Sequence, residues 1–299
     1  MTALAARAAE IHRMRTAGLF WGAVGVIAFS VSLPATRLAI TGGLDGVVVG
    51  VGRGVVAGVL AALVLAAGRQ GWPTRSLLLR LAAVSLGVVL GFPLLTSLAL
   101  AHVPAAHGII VVGLIPAATA IVAVLRAGER PSLAFWIAAA AGLGCTLLFA
   151  LTRNAGELGA ADILLLGAVL SAGFGYAEGG ALAREMGGPR VICWALVLAL
   201  PFTASATLLS IDVQALAAVR PSAWAGFGYL SLVSMFLGFF AWYRGLALGG
   251  IARIGQLQLA QPVLSLAWAA LFLGEAITWT TLAAALAVLA CVFATQLSR

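Results

Sequence analysis

"PAATAIVAVLRAGERPSLAFWIAAAAGLGC", residues 116–145, and "PVLSLAWAALFLGEAITWTTLAAALAVLAC", residues 262–291, decide how this chain folds. Laid over one another without a gap, they place Pro116 on Pro262, Gly128 on Gly274, Glu129 on Glu275 and Cys145 on Cys291, always 146 residues apart. Alanine-rich helices match by chance, but an ungapped Pro…Gly-Glu…Cys correspondence is harder to obtain that way. A second pair agrees. "GAVGVIAF", from Gly22, and "GAVLSAGF", from Gly167, align Gly22, Ala23, Val24 and Phe29 with Gly167, Ala168, Val169 and Phe174 at an offset of 145. The sequence reads as a duplicated unit.

Composition says what kind of unit. The 299 residues are 63% hydrophobic and only 9% charged, with a mean hydropathy of +1.13. A soluble domain carries about 25% charged residues. Apolar runs long enough to span a bilayer as helices recur along the whole chain. They predict ten spans: 17–39, 46–67, 77–101, 105–126, 132–151, 160–183, 190–210, 222–244, 252–273 and 277–297. The fold expected is an all-α integral membrane protein. It has an N-terminal segment, 1–16, a first five-helix unit, 17–151, and a second, 160–297. Five is odd, so the second unit enters from the opposite side. Inverted repeats of this kind serve alternating access in many secondary transporters.

Charge sets the orientation. With the N-terminus inside, Arg7, Arg13, Arg15, Arg69, Arg75, Arg80, Arg126, Arg130, Arg184, Arg190, Arg244, Arg253 and Arg299 fall on the cytoplasmic side. Only Arg37, Arg153 and Arg220 fall outside, and Arg53 lies within span 2. Dropping or adding a span would scramble this positive-inside bias. Both termini are therefore expected in the cytoplasm of a bacterial-type inner membrane, with 1–16 retained rather than cleaved as a signal. The net charge of +8 is absorbed by the same bias, so nucleic acid is not an expected partner. Trp21, Trp136, Trp194, Trp224, Trp242 and Trp279 fall near span ends, as interfacial rings do, and Trp268 lies deeper. Cys145, Cys193 and Cys291 sit in apolar runs without metal-ligand spacing.

The chain resembles the drug/metabolite transporter superfamily, EamA-like type, over nearly its whole length. A helix-central proline, a Gly-Glu about a dozen residues on and a further long helix occur twice, as in that family. Arg37 late in span 1 and Arg53 in span 2 also match, while Phe29-Ser30 stands where members often carry an aromatic-glycine pair. Within the superfamily the chain is most similar to the YddG-type exporters of aromatic and other amino acids. The resemblance implies a central cavity lined by spans 1–4 and 6–9, with spans 5 and 10 to the side.

Polar groups at membrane depth are expensive and default to functional roles. Glu178 in span 6 is expected to bind a substrate ammonium, to carry a proton, or to pair with Arg184, Arg244 or Arg253. Asp45 is placed to neutralise Arg37 or Arg53. His107 opens span 4 as a polar helix start or a proton relay. Ser30, Phe92, Tyr176, Ser231 and Ser234 are further candidates for substrate contact, the aromatic ones by stacking. The serines can equally bond back to their own helices. Pro116 and Pro262 are expected as kinks or hinges, and the Gly-Glu pairs as helix stops bonded to a neighbouring terminus.

The repeat separates scaffold from specificity. The prolines are duplicated, but Gln256, Gln258 and Gln261 correspond to Ile110, Val112 and Ile115. Helical spacing puts Gln258 and Gln261 on one face and turns Gln256 away. Export of small amphipathic metabolites, amino acids including aromatic ones, is the leading function, with no cofactor and no metal. A monomer is compatible with the sequence. The alternatives are a flippase for lipids or lipid-linked sugars, a membrane scaffold, and an intramembrane enzyme. A flippase calls for a lateral apolar opening. The enzyme lacks a deep nucleophile–base pair, a paired aspartate and a Gly-x-Ser-x-Gly. Nothing resembles a P-loop.

Overall fold

The computed structural model describes residues 2–127, 132–153, 159–250 and 254–297. Among the described residues every regular element is a helix. Eight segments are long and apolar enough to cross a membrane: Thr16–Thr41, Gly46–Ala67, Arg75–Leu100, Ala105–Leu125, Leu133–Thr152, Ala160–Met186, Gly188–Ser210 and Pro221–Gly249. Two shorter apolar helices follow, Leu257–Leu273 and Trp279–Ala294. These are the ten spans marked out by the sequence, close to their expected limits. Backbone polar groups in hydrocarbon must be satisfied within each segment, which leaves the helix as the only choice for a chain patterned this way.

Several spans are interrupted. Span 1 is α1 (Thr2–Ser30) followed by α2 (Ser32–Thr41), parted at Val31. Span 2 is α3 (Gly46–Ala67). Span 3 is α4 (Arg75–Val84), a π-helical turn over Ser85–Gly91, and α5 (Phe92–Leu100). Span 4 is α6 (Ala105–Val112) and α7 (Ile115–Ala127), parted at Gly113–Leu114. Spans 5, 6 and 7 are α8 (Leu133–Arg153), α9 (Ala160–Met186) and α10 (Gly188–Ser210). Span 8 is α11 (Pro221–Gly228), a π-helical turn over Tyr229–Leu237, and α12 (Gly238–Gly249). Span 9 runs through a 3-10 turn, Gln256–Ala260, into α13 (Gln261–Leu273), and span 10 is α14 (Trp279–Leu297).

The interruptions come in repeat-related pairs: π turns in spans 3 and 8, breaks before proline in spans 4 and 9. Pro116 and Pro262 each take the second position of a new helix. A proline there needs no N–H partner, whereas in mid-helix it removes a bond and collides with the preceding turn. Pro34 has no counterpart in span 6, and α9 accordingly runs unbroken.

Packing follows the same pairing. α1 lies along α12, and α9 along α4, α5 and the π turn between them. α3 packs on α10, and α8 on α14. The first two contacts depend on glycine. A Cβ at Gly245 would stand 2.6 Å from the Gly22 nitrogen, and one at Gly87 2.6 Å from the Ser171 carbonyl. Close backbone approach of this kind replaces the hydrophobic driving force that lipid removes.

Helix ends at the Asp45 side of the molecule are closed by charged side chains. Asp45 caps α3, accepting from the Val47 and Val48 amides at 2.8 and 3.2 Å. Arg37 donates to the Leu100 and Ala101 carbonyls at the C-terminus of α5. Arg53, buried at 2% exposure, donates to the Gly50 and Pro93 carbonyls. The expected pairing of Asp45 with either arginine is therefore corrected. All three groups are occupied with backbone: Asp45 and Arg37 at helix termini, which leave unmet donors and acceptors, and Arg53 at carbonyls inside α3 and α5.

The Gly-Glu motif has a mechanical explanation. Gly274 ends α13 in the left-handed region at φ 64°. That turn delivers Glu275, whose two carboxylate oxygens accept the Ala105 and Ala106 amides, each at 2.8 Å. The N-terminus of α6, preceded by Pro104 with no capping side chain of its own, is thus capped from span 9. Glu129 lies outside the described residues. Replacing Glu275 with alanine strips both bonds and the charge from the helix terminus. We expect a loss of about 1–2 kcal/mol. A lower melting temperature in detergent, followed by tryptophan fluorescence, reads it, and an unchanged one refutes the cap.

Candidate functional site

The two proline breaks meet. Pro116 and Pro262 line one cleft with Leu33, Ile109, Val112, Gly113, Ile115, Gln258, Gln261 and Ser265. Repeat-equivalent positions therefore face each other: Val112 with Gln258, Ile115 with Gln261, and the two prolines. One wall is apolar and the other carries amides. Gln258 is 4% exposed. It sits in the 3-10 turn, in which residues three apart eclipse, so Gln258 and Gln261 share an edge more closely than α spacing implies. Among the described residues neither amide has a hydrogen-bond partner in the protein. The side chain of Gln256 lies outside the described residues.

The free volume is about 20 Å³. A single water needs about 10–15 Å³, so the cleft as it stands admits a water and no larger ligand. The helix backbone is interrupted beside the cleft, at Gly113–Leu114 and across Gln256–Ala260.

The other sequence candidates fall in four places. Ser30 adjoins the cleft. Its carbonyl accepts from Ser265 Oγ at 2.7 Å, and its own Oγ accepts from Trp268 Nε1 at 3.0 Å while donating to the Ile27 carbonyl. It ties span 1 to span 9. Ser234 Oγ meets Ser32 Oγ at 2.7 Å, tying span 8 to span 1, and Ser231 bonds back to the Phe227 carbonyl at 2.8 Å. Both lie in the π turn of span 8, and their hydroxyls are engaged. Phe92 opens α5, half-buried against the core.

Tyr176 is buried in an aromatic cluster with Phe29, Phe239 and Trp242, its ring stacked on Phe29 at a centroid distance of 6.4 Å. Two residues on, Glu178 is 4% exposed and held by Arg80 of α4, Nε to Oε1, at 2.5 Å. Arg80 also reaches both carboxylate oxygens of Glu185, at 2.7 and 2.8 Å. The sequence offers Arg184, Arg244 or Arg253 as the partner; Arg253 lies outside the described residues, and the ion pair seen is the one to Arg80. α4 and α9 lie side by side, and that packing brings up an arginine 98 positions away along the chain.

Two contributors escaped the sequence reading. Ser265 follows Gln261 by one helical turn and shares its face, a spacing that contained the signal. Trp242, expected at a span end, is 1% exposed and packs on Phe29 and Tyr176. Its indole N–H is buried without a partner among the described residues. Six residues of α12 lie between it and Gly249, enough to draw it inward. No hydropathy window reports that difference.

Two larger cavities flank this centre. One, about 470 Å³, opens between α7, α8 and α9 and is walled by apolar residues such as Leu114, Ile121, Leu143, Leu166 and Leu170. The other, about 360 Å³ and more polar, lies at the Asp45 side against His102, His107, Phe149, Glu275 and Thr281.

Comparison with known proteins agrees with the repeat. A family model described as the EamA-like transporter family matches residues 16–151 and again 159–296. The chain is 45% identical over 289 residues to the Bacillus subtilis (strain 168) protein called "Uncharacterized transporter YdeK", covering 94% of this chain and 97% of that one. It also aligns with a solved structure described as "Crystal structure of protein", with a TM-score of 0.66 at 18% identity, over 95% of this chain and 97% of that chain. At that identity the likeness concerns the fold alone.

Proposed function

The chain belongs to the EamA-like transporter family, and on that premise we propose that it exports small amphipathic metabolites by alternating access around the cleft between the two broken helices. The substrates we assign are amino acids, aromatic ones included, in line with the YddG-type likeness of the sequence. The two halves, 17–151 and 160–297, act as inverted units. We assign both termini to the cytoplasmic side of a bacterial-type inner membrane, an orientation that the arginine bias supports.

One observation carries this reading. Gln258 and Gln261 line the cleft without a protein partner, opposite the apolar Val112 and Ile115. Amides that no protein group engages are available to a ligand, which supplies the bonds that a water in the cleft would otherwise make. An amino acid fits a site of this kind, offering polar ends to the amides and a side chain to the opposite wall. The aromatic cluster around Tyr176 supplies a further apolar surface between spans 1, 6 and 8.

The test is efflux from proteoliposomes loaded with a panel of labelled amino acids, phenylalanine among them. Protein-dependent efflux of at least one is expected, and none for any would overturn the assignment. A second reading, movement of a lipid or lipid-linked sugar, has the apolar opening between α7, α8 and α9 in its favour. It predicts scrambling of a fluorescent lipid by the same vesicles, which the exporter reading does not.

A further inference from the structure

The repeat places a cysteine in the last span of each half, Cys145 in α8 and Cys291 in α14, 146 residues apart. Each lies near the middle of its helix and is partly exposed, and both are thiols in this structure. Leu148 and Phe293 beside them are exposed, so molecules dissolved in hydrocarbon reach this level of the bundle.

The two thiols meet. α8 packs along α14. A Cβ at Gly142, one turn before Cys145 on the same face, would stand 3.3 Å from the Cys291 Cβ. The Cys291 side chain is in hydrogen-bonding contact with that of Cys145. Helices this close, with their thiols in contact, fall within reach of a disulfide, whose Cα atoms stand about 4.4–6.8 Å apart.

Symmetry explains the meeting. The two helices are the fifth spans of the two halves, so their contact lies on the pseudo-two-fold axis that relates the halves. Equivalent residues face one another there, as Pro116 and Pro262 do in the cleft. The position has a mechanical consequence. In alternating access by inverted repeats, each half takes in one state the conformation that the other half takes in the opposite state. Exchanging the states therefore exchanges the two members of an equivalent pair, and the distance between them stays the same. A pair of non-equivalent positions has no such protection.

We propose that Cys145 and Cys291 are an oxidation site, at which a lipid-soluble two-electron oxidant joins the thiols as a disulfide that staples the two halves without arresting their exchange. Two S–H bonds break and one S–S bond forms. With iodine as the oxidant, the two sulfur atoms give up two electrons, iodine becomes two iodide ions, and two protons leave. The staple follows from the contact alone, whereas the continued exchange rests on the transporter reading.

Cys193, the third cysteine of the chain, is 1% exposed on α10, which packs on α3. Cys193→Ala therefore serves as the parent, with the pair as its only thiols. The full-length parent in lipid nanodiscs is treated with iodine, denatured and titrated with a maleimide carrying polyethylene glycol, which shifts the gel band once for each thiol. We expect two shifts before treatment, none after it, and both again after dithiothreitol, with the chain running as a monomer throughout. Cys145→Ala and Cys291→Ala in the same parent keep their single shift after iodine. Two shifts that persist in the treated parent, or a bond that joins two chains in place of one, overturn the site.

Exchange is read separately in proteoliposomes, as efflux of whichever panel amino acid the parent moves fastest. Rates are taken before linking, after it and after dithiothreitol, each relative to equally treated Cys145→Ala. The relative rate is expected to be unchanged by linking. A linked form that loses most of its rate and regains it with dithiothreitol overturns the fixed spacing. If the parent moves none of the panel, the export assignment fails, and the maleimide titration still decides the oxidation site.

Discussion

Phenylalanine efflux falls by about tenfold or more when Gln258 and Gln261 are both replaced by leucine, while the protein still reaches the membrane in normal amounts. Each amide presents two donors and an acceptor, and a zwitterion offers charged partners for them. A hydrogen bond to a charged group contributes about 1.5–3 kcal/mol, so losing two weakens binding by tenfold at the least, even with strong non-additivity. Leucine matches the volume of glutamine and is among the best-tolerated residues in a span. It also removes two amides that have no partner in the protein. The double variant should therefore be as stable as the native chain or more so. Rising stability with falling transport is the signature of a binding group held at a cost. Efflux unchanged in the double variant would remove both amides from the site, whatever the stability did.

Those glutamines were legible in the sequence because the chain supplies its own control. An offset of 146 sets each amide against an aliphatic residue in the other half, while the prolines repeat. The ten spans were legible for a related reason. In lipid, hydropathy, arginine placement and repeat length constrain the same count independently. The Gly-Glu motif was read as a helix stop bonded to a neighbouring terminus, and at Glu275 the structure supplies the bonds.

What the sequence hid depends on contacts between distant segments. The partner of Glu178 is set by how α4 packs on α9, and any of several arginines satisfies charge counting. The two π turns leave no mark in hydropathy, because an extra residue per turn changes which face a side chain takes without changing its polarity. Trp242 was assigned to an interface by its place along span 8, yet it is part of the core because Gly25 lets α1 come against it. A Cβ at Gly25 would stand 3.0 Å from the Trp242 Cα. His107 bonds to Asp162 across 55 positions, and nothing local couples them. In each case residue type was readable and neighbourhood was not.

Arg80→Met is expected to destabilise the protein by about 2–3 kcal/mol, and Glu178→Gln to restore most of that loss in the same chain. Removing one partner of a fully buried ion pair costs about 3–5 kcal/mol, because the remaining charge is left uncompensated. The figure is reduced here because Arg80 is 28% exposed and its contact with the half-exposed Glu185 contributes little. Glu178, at 4% exposure, has no such access to solvent. Glutamine at position 178 removes the charge that Arg80 balanced and keeps a polar group of the same shape. Thermal unfolding of the two single variants and the double variant gives the coupling directly. Effects that simply add would show that the pair contributes nothing to the fold.

The same three variants settle the role of Glu178 in transport. If it only pins α9 to α4, the double variant recovers phenylalanine efflux along with its stability, and that is the result expected from the geometry. If the carboxylate also receives a substrate ammonium, the double variant is stable and silent. Stability and efflux separate the two roles because a structural charge can be removed together with its partner, whereas a ligand's partner cannot be removed without loss of binding.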